Sequence, residues 1–174
     1  MNPKPLKKSA RQLVDEAMAS VHTLSLADAR AAHAAGQQLF VDLRDIRELE
    51  REGVIPGALH APRGMLEFWV DPECPYFHKA FADGKPLVLF CAAGWRSALA
   101  AKTLQEMGVE GVSHIDGGYT AWKAAGAPVA QKATHAASAE KAKHATTAES
   151  AAQTSSADTE SPPAAADKTG REPI

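Results

Sequence analysis

The chain has 174 residues, with 19 Lys and Arg against 21 Asp and Glu, for a net charge of −2. That balance excludes the strongly basic surface of a nucleic-acid binder and gives nothing to attract an anionic membrane. Two cysteines make no disulfide framework, no run approaches bilayer-spanning length, and no apolar stretch follows Lys4, Lys7 and Lys8 to make a secretory signal, so a reducing cytoplasm is the expected setting.

In chain order, residues 7–20 alternate charge with Leu13, Val14, Ala17 and Met18. They predict a short amphipathic helix, read with residues 1–22 as a loosely docked N-terminal arm. Residues 23–25 suit an edge strand. Ser25 then caps a helix, with Asp28 at the third position of a capping box and Gly36 as its stop. Residues 38–44 form an apolar run ending in Asp42, Arg44 and Asp45, at the strand end where parallel α/β sheets place their sites. Asp42 and Arg44 read best as a structural ion pair bracing neighbouring loops. A short helix follows over 46–51, and 53–60 turn into a third strand.

Residues 63–82 are broken by prolines and long for a connection, which suggests a lid or pocket wall. Cys74 lies there and reads as a bystander thiol, with a resolving role toward Cys91 as the alternative. Beyond the central unit described next, residues 112–116 are a fifth strand. Gly117 and Gly118 turn it into a helix carrying Tyr119 and Trp122. The alternation predicts an α/β fold, a five-stranded parallel sheet with helices on both faces, over residues 23–129. Residues 130–174 contain no Leu, Phe, Trp, Tyr or Met, so burial cannot offset their ordering entropy, and they read as a disordered low-complexity tail.

The chain is organised around residues 86–107. Leu87 to Phe90 make a continuous apolar run, as in a strand buried on both faces, and Leu99, Thr103, Leu104 and Met107 fall at helical spacing before Gly108. Between strand and helix lies a six-residue loop from Cys91 to Arg96. A loop entering a helix in this way aims backbone N–H groups and the positive end of the helix dipole at its mouth, where the Cys91 sulfur sits. Such a setting favours the thiolate, a nucleophile that needs no separate base. Ala92, Ala93 and Gly94 are small enough for a tight curl, and Arg96 either faces an anion or braces the loop through a carboxylate. Trp95 either walls the entrance or packs against Phe68 and Trp69, the latter preferred. No phosphate-binding glycine loop, HExxH or CxxC pattern occurs, so no metal and no cofactor is expected.

Four pieces in this order and spacing carry a resemblance: VDLRD at 41–45, VIPGALH at 54–60, CAAGWRS at 91–97 and DGGYTAW at 116–122. From about residue 24 to 128 the chain resembles a single-domain rhodanese-like sulfurtransferase. The resemblance implies that Cys91 is catalytic and carries sulfur as a persulfide, while Ala92, Ala93, Gly94, Trp95, Arg96 and Ser97 cradle the outer sulfur. Related phosphatases have a loop one residue longer, and Ser97 stands where their arginine belongs. Well-known rhodaneses follow the cysteine with cations that attract thiosulfate; Ala92 and Ala93 offer none, which leaves the donor open among thiosulfate, glutathione persulfide and a protein persulfide. The expected function is transfer of a sulfane sulfur from a small donor (thiosulfate or a low-molecular-weight persulfide) to a thiol or cyanide, with a protein acceptor as a further partner. The alternative is a non-catalytic interaction module or protein-to-protein sulfur relay.

Overall fold

The computed structural model of the chain describes Lys4 and residues 6–132. The tail expected over 130–174 therefore lies, from Ala133 onward, outside the described residues. Ala130 itself is tied to the domain through a two-way backbone pairing with Val54 (2.8 and 2.9 Å).

Five strands, β1 (His22–Leu24), β2 (Leu39–Asp42), β3 (Leu59–His60), β4 (Leu87–Phe90) and β5 (Val112–Ile115), form one parallel sheet in the order β1-β5-β4-β2-β3. The apolar run 87–90 is central and every residue in it is buried, as a strand covered on both faces requires. Period-two alternation divides it between two cores. Leu87 and Leu89, followed by Cys91, join Ala100, Ala101 and Leu104 of α5 (Trp95–Glu106) on one face. Val88 and Phe90 join Ile55, Tyr119 and Trp122 on the other, with α2 (Leu26–Ala35) and α6 (Gly118–Ala124). Helices thus cover both faces.

The helix expected over 7–20 is shorter, α1 (Ala10–Met18), closed by a Ser9–Gln12 capping box. It is no loose arm. Val14 (5% exposed) and Ala17 (0%) are buried, and the helix packs along α5. Amphipathic spacing told of a face to bury; the long helix after the central strand supplies the surface. Ser25 accepts the Asp28 N–H at 3.1 Å to start α2, and Gly36 (φ 67°) ends it in the left-handed region. The short helix after β2 is α3 (Ile46–Glu52).

Residues 63–82 hold α4 (Leu66–Val70) and a 3₁₀ turn, Lys79–Phe81. Leu66 is fully buried, Trp69, Val70 and Phe81 pack on the α5-side core, and Trp69 stacks on His78 at 4.9 Å between ring centroids. The long connection is thereby fastened to the sheet rather than hanging free. Cys74 within it is half-buried; Cys91, in its own place, is buried, and neither is bridged.

A candidate site at the junction of β4 and α5

The loop's shape is set from below. Gly94 adopts φ 93° as the cap of α5, so Trp95 and Arg96 already belong to the helix's first turn. Carbonyl oxygens of Cys91 and Ala92 are taken by the N–H groups of Tyr119 (2.8 Å) and Thr120 (3.0 Å) at the start of α6. With those oxygens turned down into the fold, the amide edge of the loop is left for the mouth. Gly118 permits this approach: at φ 58°, a Cβ there would run into the Cys91 carbonyl oxygen and lie 2.8 Å from that of Ala92. The paired glycines at 117 and 118 are thus part of the loop's construction. The N–H groups of Trp95, Arg96 and Ser97 are first-turn donors that no helix can satisfy internally. Those of Ala92, Ala93 and Gly94 find no acceptor among the described residues. Together they form a donor-lined cup of the kind that holds anions.

Cys91 sits at the base of the cup, 1% exposed. The Ser97 hydroxyl, also buried, has a single proton to offer two acceptors, the Gly94 carbonyl at 3.0 Å and the Cys91 sulfur at 3.8 Å, and it lies 3.4 Å from Nδ1 of His114. Outward, Ala93 and Trp95 are exposed. Trp95 does not pair with Phe68 or Trp69. It is half-exposed with the Arg11 guanidinium 5.9 Å above its ring, because the first residue of α5 points toward α1.

Arg96 braces. Its two terminal nitrogens meet the two Glu48 oxygens at 2.8 Å each, a fork-to-fork pair. Glu48 is also the capping-box residue of α3, accepting the Asp45 N–H at 2.8 Å. The Arg96 pairing, reinforced by the Asp45 N–H, holds the Glu48 carboxyl down at about 2. Glu48 in return raises Arg96, and the nearby Cys91 adds to that. Glu48 was not legible as a site residue: it lies 48 residues from Arg96 in sequence and looks like an ordinary surface glutamate.

Asp42 and Arg44 form the structural pair expected of them. Arg44 is fully buried, clamps Asp42 with contacts of 2.9 and 2.6 Å, donates to the Gly53 carbonyl at 2.8 Å and lies 3.6 Å under the Tyr119 ring. It fastens β2 to the chain leading to β3 and does not reach the cup.

Comparison with known proteins identifies the family. Residues 25–125 match the family model described as a rhodanese-like domain. A human thiosulfate:glutathione sulfurtransferase is 33% identical over 111 residues, covering 60% of this chain and 96% of the relative. The thiosulfate sulfurtransferase GlpE of Pseudoalteromonas translucida is 46% identical over 87 residues, 50% of this chain and 74% of that one. A solved structure from Rhodopseudomonas palustris, of unknown function and described as a possible tyrosine phosphatase, is 48% identical with a TM-score of 0.72, covering 75% of this chain and all of that one. The chain belongs to the rhodanese-like sulfurtransferase family.

Proposed function

We propose that the protein carries a sulfane sulfur on Cys91 and passes it from a small donor to an acceptor thiol or cyanide. The supporting observation is the six-residue cup itself, with the Cys91 sulfur at its base, its amides free and its arginine engaged elsewhere. With thiosulfate as donor, the Cys91 thiolate attacks the outer sulfur and a new S–S bond forms. The S–S bond of thiosulfate breaks, and sulfite leaves with that bond's electron pair. An acceptor thiolate then attacks the outer sulfur of the Cys91 persulfide. The electron pair returns to the Cys91 sulfur, and the acceptor departs as a persulfide. Amide donors around the cup favour the anionic sulfur through both steps. Ala92, Ala93, Gly94, Trp95, Arg96 and Ser97 supply the cup, and no cofactor or metal takes part.

The names of the human and Pseudoalteromonas relatives point to thiosulfate, and the human one to glutathione, as substrates to try first. The phosphatase description of the Rhodopseudomonas protein suits this chain less well. A phosphoryl group needs three equatorial oxygens stabilised, and the one arginine of this loop is paired with Glu48 rather than free to fork onto them.

The test is turnover of thiosulfate with cyanide and with glutathione, run beside hydrolysis of an aryl phosphate, for the parent and for Cys91→Ser. We expect sulfur transfer, no phosphate release, and loss of transfer in the variant with the fold retained. A variant retaining activity within about tenfold of the parent would remove Cys91 from the reaction. Aryl phosphate hydrolysis that Cys91→Ser abolishes, without sulfur transfer, would favour the phosphatase reading. An interaction module would show neither activity.

A further inference from the structure

The sulfur at the base of the cup is the end of a buried polar chain. His114, on β5, is fully buried between β1 and β4. Its Nε2 lies 2.9 Å from the Thr23 hydroxyl of β1, and its Nδ1 lies 3.4 Å from the Ser97 hydroxyl of α5, which lies 3.8 Å from the Cys91 sulfur. Two ring nitrogens therefore face two hydroxyls, and the second hydroxyl faces the sulfur.

Donor and acceptor counting decides what this chain can do. The Gly94 carbonyl and a Cys91 thiolate can only accept, and both face the single Ser97 proton. A bare Nδ1 on His114 would be a third acceptor, drawing that proton away from the sulfur. An Nδ1–H instead donates into the Ser97 oxygen, while the Thr23 hydroxyl donates to Nε2. All hydrogens then run one way, from Thr23 through His114 to Ser97 and on toward Gly94 or the sulfur. Chains of this sense polarise successive donors, each strengthening the next by roughly 10–30%. Burial holds the imidazole below the ordinary histidine range, against the smaller opposing pull of Asp116, so one nitrogen is free to accept from Thr23. The charged groups facing the chain are Asp116, just past β5, and Arg96 of α5 with Glu48 of α3; β1 and β4 present Thr23 and Cys91.

We infer that His114 is a positioning residue, a buried imidazole in the Nδ1–H tautomer that fixes the Ser97 hydroxyl as a hydrogen-bond donor to the Cys91 sulfur. The inference rests on the reading of Cys91 as the sulfur carrier. There it acts in both halves of the cycle: the Cys91 sulfur is a thiolate when it attacks, and receives the bonding pair again when the acceptor removes the outer sulfur.

The experiment reads the thiol without any sulfur donor, so its outcome is independent of whether sulfur is transferred. In a Cys74→Ser background of the full chain, alkylation of Cys91 by iodoacetamide is followed between about pH 5 and 10. His114→Leu should raise the midpoint by about half a unit to one unit through loss of a hydrogen bond to the charged form. His114→Asn, which keeps an N–H near the place of Nδ1, should restore most of the loss. In a Ser97→Ala background, His114→Leu should add nothing. An unmoved midpoint, or the same shift with and without Ser97, would overturn the inference. Nitrogen-15 shifts of the unsubstituted protein provide a reading that no folding failure can obscure: Nδ1–H is expected at His114, and an Nε2–H tautomer would overturn it equally. A protein that shows the Ser97-dependent shift but takes up no sulfur would sink the proposed function and leave this role standing.

Discussion

Arg44 and Arg96 are each gripped by a carboxylate at the C-terminal side of the sheet, and the resemblance ends there. Arg44 is buried with its partner Asp42 two residues away, under an aromatic ring and against a main-chain carbonyl. Arg96 keeps 39% of its side-chain surface, and its partner Glu48 comes from a different helix. The first arginine is enclosed by the core and fixes the path of the chain. The second borders the cup, where its charge is largely balanced by Glu48 yet still reaches the sulfur. A cation beside a site is thus not automatically an anion receptor; its partner decides how much of its charge is available.

Removing each carboxylate should separate the two arginines. Asp42→Ala strips the buried guanidinium of its close, forked partner and leaves only the Glu52 carboxylate at 3.9 Å, which should cost about 3–5 kcal/mol, a large share of the roughly 5–15 kcal/mol of a typical domain. Urea unfolding would show it as a midpoint shift, and a loss below about 1 kcal/mol would mean that the Asp42–Arg44 pair is not the clamp described.

Glu48→Gln should cost about 1 kcal/mol or less, because the pair is partly solvated. Its signature is in the pH dependence. The Glu48 carboxyl, ordinarily near 4.5, is held at about 2, so the unfolded chain binds this proton more readily than the folded one. The contribution is therefore complete above about pH 4.5 and is lost as pH falls toward about 2. Glu48→Gln should flatten this part of the acid limb. An acid limb unchanged by the substitution would show that the fork is not formed in solution.

Smaller still is the effect of adding charge. Ala92 and Ala93, which follow Cys91, carry no charge, and Arg96 is balanced, so thiosulfate should saturate weakly. Ala92→Arg should lower its KM by about threefold to fivefold at low salt, with kcat changing less, because the charge aids ground state and transition state alike. The gain should fade as ionic strength approaches about 0.15 M, where charges are screened over roughly 8 Å. An unchanged KM at low salt would point to a donor that is not recruited by charge.

Much of the architecture could be read from residues 86–107, because a strand buried on both faces writes itself as an unbroken apolar run and a capped helix ends at its glycine. Strand ends were harder: the run 38–44 shortens to Leu39–Asp42, with Leu43 still donating its N–H to the Phe90 carbonyl of β4 and Arg44 buried beyond the strand's end. Residues whose meaning depends on a distant element escaped. Trp95 faces α1, Glu48 of the helix after β2 reaches Arg96 of the helix after β4, and His114 sits inside a stretch that reads as a plain strand. The choice left open for Arg96, anion receptor or brace, needed the place of Glu48. Gly118 could be seen as a turn residue, but its close approach to the Cys91 carbonyl belongs to the packing of α6 under the loop.

Whether Cys91 carries the sulfur can be weighed on the intact protein by mass. The protein is incubated with thiosulfate, freed of it, and analysed intact and after proteolysis under non-reducing conditions. The expected result is a gain of about 32 Da, one sulfur atom, located on the peptide containing Cys91, absent from Cys74 and removed by added glutathione. A gain on Cys74 instead, or none with thiosulfate or with glutathione persulfide, would contradict it.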